Sequence, residues 1–480
     1  MLHNKSTKII SELQKYFSSS EKTIQTLLGE LISLKISDKL FKGIDKNNTQ
    51  YKGKQKFILL LLFPIFAIKD ISHYSKSPLY QLYKCGKDVF YEFSNSSFFN
   101  WRELSYQITK QLFRRIENLS FSETEPIRCL IADDTDFIKR GRCFELLSRI
   151  YSHVTHTFNY GFKGLFLGYH DGKSFFGLDF SLHGEKGKDE NKPYGLNKKQ
   201  IKSRYKTKRD KKSYGQHRVN EYFETKTFML IAMIRKAIAE GIRFDYLLTD
   251  SWFTSFELIK FIATRRIKCF FLGMVKNGKT KYLFKGKSLT FSEILNILKH
   301  SQKAGYSKKL KCKFYEADVE LKEIKIKLFF CKTTKKGNWH GLLTTNTELK
   351  FEKAYEIYST RWTIEVFFKE CKQLLRLGKC ESRHFEAQIA ATTLCMLQYN
   401  LLSALKRFDG YESFGELFRQ ANADTLEITI KERIWLIIIE IVTELAEFMD
   451  FELDFLLEHI FAENEKLTKL INLKSIGKSA

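Results

Sequence analysis

Two short apolar runs in this chain end on aspartates: IRCLIADDTD at 127–136 and FDYLLTD at 244–250. Unbroken apolar runs of this length, bounded by polar residues, read as strands buried on both faces, the habit of parallel sheets flanked by helices. A carboxylate cannot lie in such a sheet without a partner, so an acid closing the run belongs at the strand's carboxyl end, where α/β folds gather their functional sites. The expected class is therefore α/β, with Asp133 and Asp250 closing two of its strands. Asp134 adjoins Asp133, and strand alternation lets only one of the two face a common site.

The rest of the chain arranges itself around these runs. Residues 1–115 repeat apolar positions at three- and four-residue spacing, as in SSSEKTIQTLLGELISL and NWRELSYQITKQLFRRI, and predict a helical region suited to DNA binding. Residues 116–278 hold both aspartate runs. Within them, GFKGLFLGYHDGKSFFGLDFSL (161–182) predicts a hairpin turning at 170–173, with Asp171 in the turn. NEYFETKTFMLIAMIRKAIAEG (220–241) predicts a helix, and Thr254 with Glu257 a capping box opening another. From 279 to 344 the chain alternates like short strands, a β-rich insertion. Helical periodicity resumes over 345–405 and again over 406–480.

The formal charge is +26, from 81 Lys and Arg against 55 Asp and Glu. Such an excess suits a polyanionic partner, since cations gain affinity by displacing counterions from nucleic acid; the alternative is a merely solubilising surface. NKKQIKSRYKTKRDKK (197–212) has no apolar periodicity and reads as an exposed arm, either solvated or aimed at a DNA backbone. Nine scattered cysteines form no CxxC pair, which points to reduced, buried thiols and a cytoplasmic protein without structural zinc. FILLLLFPIFAI (57–68) is too short to span a bilayer and contains a proline, so no membrane partner is expected.

YSTRWTIEVFFKECK (358–372) carries chemistry on one face. On a helical wheel at about 100° per residue, Tyr358, Arg361, Glu365, Lys372 and Arg376 fall within roughly 60°, and Ile364, Phe367, Phe368, Cys371, Leu374 and Leu375 lie opposite. One reading is an ordinary amphipathic helix whose ion pairs contribute a few tenths of a kcal/mol each. The other joins Glu365 to Asp133 and Asp250 as three carboxylates that hold two divalent ions, with the cations beside it gripping phosphate. Oxygen ligands with waters suit Mg²⁺ or Mn²⁺ rather than zinc.

Tyr358-x2-Arg361-x3-Glu365-x6-Lys372 resembles, at every spacing, the Y-(2)-R-(3)-E-(6)-K signature of IS4-family insertion-sequence transposases. Asp133 in DDT and Asp250 in LLTDSWF resemble that family's first and second catalytic aspartates; its pattern of an aspartate followed two residues later by threonine selects Asp133, with Thr135 in that place. The resemblance covers about residues 80–405. It implies an RNase H-like catalytic core with a β-strand insertion, in which Asp133, Asp250 and Glu365 bind two metal ions. Tyr358, Arg361 and Lys372 would hold transposon-end phosphates. The partners implied are the terminal inverted repeats and target DNA, with a homodimer on DNA.

Weaker candidates complete the set. Trp339, inside the insertion, is either a base-stacking platform or an ordinary buried tryptophan. Trp362 reads as a wedge beside the reactive face, His153 and His156 as hydrogen-bonding residues, and Asp179 and His183 as possible neighbours of the site. Two rivals to a transposase remain: a catalytically dead DNA-binding descendant, and a nuclease that hydrolyses DNA without joining it.

Overall fold

The computed structural model describes residues 34–409, apart from 46–49, 65, 67, 78, 120–125, 154, 188, 265–268 and 333–337. The helical expectations for the extreme amino terminus and for 410–480 lie outside the described residues. The chain divides into one unit of residues 1–96 with 404–480 and another spanning Ser97–Ser403. In the first, helix Gly53–Leu62 is almost wholly buried, and Phe63 and Phe90 pack on Tyr74 at ring distances of 5.6 and 4.7 Å. No helix among the described residues is long and apolar enough to cross a membrane.

Ser97–Ser403 is built on a mixed sheet. Its core strands are β1 (Cys129–Ile138), β3 (Thr157–His170), β4 (Phe175–His183), β5 (Tyr246–Thr249) and β6 (Phe270–Val275). β1, β3 and β4 form an antiparallel meander, and β5 and β6 run parallel to β1, in the spatial order β4-β3-β1-β5-β6. Taking these five in chain order gives 3-2-1-4-5, the RNase H-like arrangement. β2 (Ser148–Ser152) shares the outer edge of β3 with β4. Helix α1 (Trp101–Leu119) packs on β4; α2 (Tyr214–Phe223) and α3 (Lys226–Ala239) link β4 to β5, and α4 (Phe256–Ala263) links β5 to β6.

The inserted strands do not form a separate layer. β12 (His340–Thr344) pairs antiparallel with β6, and beyond it follow β11 (Ile324–Lys332), β10 (Cys312–Leu321), β7 (Lys281–Phe284) and β8 (Lys287–Thr290). β9 (Gly305–Ser307) pairs with β10, and α5 (Phe291–Ser301) packs on β7 and β8. The insertion thus prolongs the core sheet. The chain returns to the core through α6 (Phe351–Ser359), α7 (Trp362–Leu374) and α8 (Phe385–Asp409).

Several local expectations change. The helix expected over 220–241 breaks at Glu224–Thr225, where the Thr225 hydroxyl accepts from Phe228 N at 3.2 Å and starts α3. The cap of α4 is Ser255, not Thr254, whose hydroxyl instead donates to Asp250 O at 2.9 Å. The hairpin turn falls where expected: Asp171 Oδ1 accepts from Lys173 N and Ser174 N at 2.9 and 2.7 Å, and Gly172 has φ +95°.

β3 and β4 slip register between Leu167 and Gly168, so Leu178 is an extra residue in β4. Gly177 is satisfied from α8 instead: its N–H donates to Asn400 Oδ1 at 2.8 Å and its carbonyl accepts from Asn400 Nδ2 at 2.7 Å. Asn400 is fully buried and also donates to Thr109 Oγ1 at 3.1 Å. Asn400→Ala strands a buried donor and acceptor at about 1–3 kcal/mol each. The expected loss in chemical denaturation is about 3 kcal/mol; a loss under about 0.5 kcal/mol would mean the bulge finds other partners.

Candidate active site

β1 pairs with β5 only over Cys129–Ala132, in register with Tyr246–Thr249. The next residue of each strand, Asp133 and Asp250, therefore stands where two parallel strands part, the crevice in which open α/β sheets bind ligands. β1 does not stop there, as its sequence suggested. It continues to Ile138 against β3, so Asp133 lies mid-strand. Alternation separates the two acids: Asp133 meets Arg361, while Asp134 pairs with Lys226 at the start of α3. Asp250 is held by its own turn, its Oδ1 accepting from Trp252 N and Phe253 N at 3.0 and 3.1 Å.

The third acid arrives on α7. Phe367 and Phe368 lie 5.7 and 5.3 Å from the Phe166 ring, and Phe367 also packs on Phe175 and Tyr399 at 5.3 and 4.8 Å. Phe166 is the register partner of Asp133 on β3, so the ring and the carboxylate share a sheet face, and the helix seated on the ring must present its polar side to the acid. Arg361 Nη1 reaches Asp133 Oδ2 at 3.0 Å, and its Nη2 reaches Glu365 Oε1 at 2.5 Å. One helical turn beyond Phe368, Lys372 Nζ donates to Thr135 Oγ1 at 2.6 Å. Two cations of the helix thus meet β1 at alternate residues.

The reactive segment is not one helix. α6 ends at Ser359 and α7 starts at Trp362, with Thr360 and Arg361 in a tighter turn. There Thr360 N and Arg361 N bond back three residues, to Ile357 O at 3.1 Å and Tyr358 O at 3.0 Å. The hydroxyls of Ser359, Thr360 and Thr363 take the carbonyls of Glu356, Ile357 and Thr360 at 2.6, 2.7 and 2.7 Å. The STRWT sequence thus supplies its own bonds at the break. Tyr358, on the α6 side, has a buried hydroxyl beside the Arg361 guanidinium and no well-formed hydrogen bond; burial pushes it up to about 12. Arg376 departs from the helical wheel: the helix ends at Leu374, and Arg376 sits exposed at φ +61°, off the face the wheel assigned to it.

Burial and the neighbouring Asp250 push the Asp133 carboxyl up to about 7. Asp250 is also raised, first by burial. Two adjacent carboxylates both held above their ordinary range mark a pocket short of positive charge. Arg361 supplies part of it, bonding both Asp133 and Glu365; among the described residues no three acids or other ligands converge at metal-binding separation. The donor chemistry, carboxylate oxygen throughout, fits a hard divalent cation. Asp133 neighbours Asp250 where β1 and β5 part, and Glu365 is linked to Asp133 through the Arg361 guanidinium.

Residues 202–401 match the family described as transposase DDE domain, and residues 79–273 match the family described as DDE superfamily endonuclease. Both matches are to the DDE class. The first takes in Asp250 and Glu365, the second Asp133 and Asp250. No curated protein matches the chain. A solved structure, the piggyBac transposase synaptic complex with hairpin DNA, aligns with 14% identity and a TM-score of 0.40 over 88% of this chain and 81% of that one.

The remaining candidates fall elsewhere. Asp179 accepts from Arg102 Nε at 2.8 Å and belongs to a network with Glu221 and Arg218 that joins β4 to α1 and α2. His183 bonds Ser181 Oγ at 2.7 Å, and burial lowers it to about 4. Trp339 packs at 5.3 Å on Tyr315 of β10, in the insertion. Trp362 does not wedge the helix: it is 61% exposed, and Trp252, two residues after Asp250, is 63% exposed. Trp252 was missed because an apolar residue in SWF reads as core; only its neighbour Asp250 hinted otherwise.

Proposed function

We propose that this chain is a DDE transposase of the IS4 insertion-sequence type, which cleaves DNA at element ends and joins the resulting 3′-hydroxyls to target DNA. The observation that carries this is the meeting of Asp133, beside Asp250, with Glu365 through a single arginine on a helix whose spacing matches the Y-R-E-K pattern. A pair of Mg²⁺ or Mn²⁺ ions, when bound by these acids, supplies Lewis-acid charge stabilisation and activates a water or 3′-hydroxyl.

The protein's own groups do the rest. Arg361, released from the acids, presents a planar fork to a phosphate, and Lys372 adds a point charge two residues along β1. Trp362 and Trp252, the latter with Lys276 over its ring at 5.1 Å, offer exposed aromatic surface to bases. Tyr358 backs Arg361 from within the protein. Trp339 offers a further stacking face from the insertion. Two copies would bridge two inverted-repeat ends, as the family resemblance implies, and act in the cytoplasm on nucleoid DNA.

The test is a joining assay with a pre-cleaved end and supercoiled target in Mg²⁺. Joined product supports the transposase. Nicks without joining indicate a nuclease, and metal-independent binding without either product indicates an inactive descendant. Lys372→Ala is expected to lower the slope of log affinity against log salt by about 0.9, one phosphate contact; an unchanged slope would mean Lys372 grips no phosphate.

A further inference from the structure

The basic run at 197–212 is not a loose arm. Asn197 caps a short helix, Lys198–Lys202, through a box with Gln200. Gln200 Nε2 then reaches Tyr160 OH at 3.2 Å, and Arg204 Nη1 donates to Leu147 O at 3.0 Å. Tyr205 N donates to Cys143 O at 3.2 Å, while Tyr205 OH and Thr207 Oγ1 meet the two nitrogens of His384 at 3.1 and 3.4 Å. Arg209 closes the strap, bonding both Glu145 and Glu386; all three side chains are at most 7% exposed. Beyond it, Asp210 and Ser213 form a turn that leads into α2.

Tyr205, Thr207 and Arg209 point inward, so the alternation turns Lys206 and Lys208 outward. Lys198, Lys199, Lys202, Lys211 and Lys212 are exposed as well. Seven lysines thus stand on one strap, and among the described residues none has a carboxylate partner. Holding like charges together without partners costs stability, and the anchors beneath them explain no lysine: the fold uses the arginines and the tyrosine. The arrangement makes sense for an external polyanion, because lysines fixed on a braced strap lose little freedom on meeting phosphates.

The geometry points to a duplex-DNA backbone site on this strap, distinct from the acids and resting on the transposase reading for its choice of partner. Its anchors at Tyr160 and 143–147 lie beyond the far end of β1. From Asp133 to Ile138 is five residues, about 17 Å at about 3.4 Å each, or about five base pairs along a duplex whose scissile phosphate sits at Asp133. The strap is therefore placed to hold flanking phosphates of the same duplex that the acids cut.

The test combines Lys202→Ala, Lys206→Ala, Lys208→Ala and Lys212→Ala in the full chain and measures binding to a random-sequence duplex across salt concentrations. The slope of log affinity against log salt is expected to fall by about 3.6, about 0.9 per lysine, with at least tenfold weaker binding at low salt and a melting temperature no lower than the wild type's. A control removes Lys281, Lys287, Lys311 and Lys313 from the insertion. Equal loss in that control would assign the effect to net charge and overturn the site, as would an unchanged slope, a destabilised variant, or a wild-type chain that binds no duplex. Metal-dependent cleavage separates the two readings. A wild-type chain that cleaves while the strap variant keeps its slope leaves the function standing without the strap; a lowered slope without any cleavage leaves the strap standing without the function.

Discussion

Asp250→Asn is expected to lower metal-dependent cleavage by about three orders of magnitude while leaving duplex binding within about twofold. A metal ion's charge stabilisation is worth several kcal/mol, and about 4 kcal/mol corresponds to about 10³ in rate. Asp250 carries a negative charge unsuited to gripping phosphate, and its Oδ1 accepts from the turn N–H groups of Trp252 and Phe253. An amide oxygen can accept those same bonds, so the turn survives the substitution. Asp133→Asn should match it in activity and add a second signature. Asp133 is crowded by burial and by Asp250, so removing its charge should raise the melting temperature of the metal-free protein, whereas Mg²⁺ or Mn²⁺ should stabilise only the wild type. Glu365→Gln should lose activity in the same range, yet its melt should change little, since the side chain is a third exposed and among the described residues bonds Arg361 alone. Cleavage persisting in any of the three variants would remove that residue from the catalytic set, and binding that collapses with Glu365→Gln would make it structural.

The contrast between these acids explains what the sequence could and could not reveal. The two aspartates were legible as acids following buried apolar runs, although only Asp250 closes its strand: β1 continues past Asp133 to Ile138 against β3. The Y-R-E-K face was legible because helical spacing is local. The break at Thr360 was not, since its i→i−3 turn relies on three hydroxyl-to-carbonyl bonds that a wheel ignores. Arg376 was misplaced for a related reason: the helix ends at Leu374, and Arg376, like Gly378 two positions later, takes a left-handed conformation that a helical wheel ignores. Thr254 looked like a cap but gives its hydroxyl to Asp250 O, so the second aspartate's turn, not the helix, claims it. The basic run defeated pattern reading for a different reason. Its inward alternation is visible in YKTKR, but the carboxylates that receive Arg209 lie 64 and 177 residues away.

Arg209→Ala is expected to cost about 3–5 kcal/mol and to lower the melting temperature by about 5–8 °C. The arginine is the shared partner of Glu145 and Glu386, and deleting it leaves two buried carboxylates uncompensated, which is far more costly than never having built the pair. Glu145 also accepts from Phe385 N at 3.1 Å, so the loss reaches the first turn of α8. Arg209→Lys should recover only part of the stability, because one ammonium cannot fork to two carboxylates. Arg209→Ala combined with Glu145→Gln and Glu386→Gln should recover more, since it removes the stranded charges. A single Arg209→Ala variant that melts like the wild type would show that the strap is held by its other anchors. DNA binding then tests the bracing itself. With the strap released, its seven lysines remain available, so the salt slope should stay near the wild-type value while affinity falls, because the chain must now be ordered at the moment of binding. A slope that falls with the affinity would mean that Arg209 holds those lysines at the phosphates themselves rather than merely sparing the entropy of placing them.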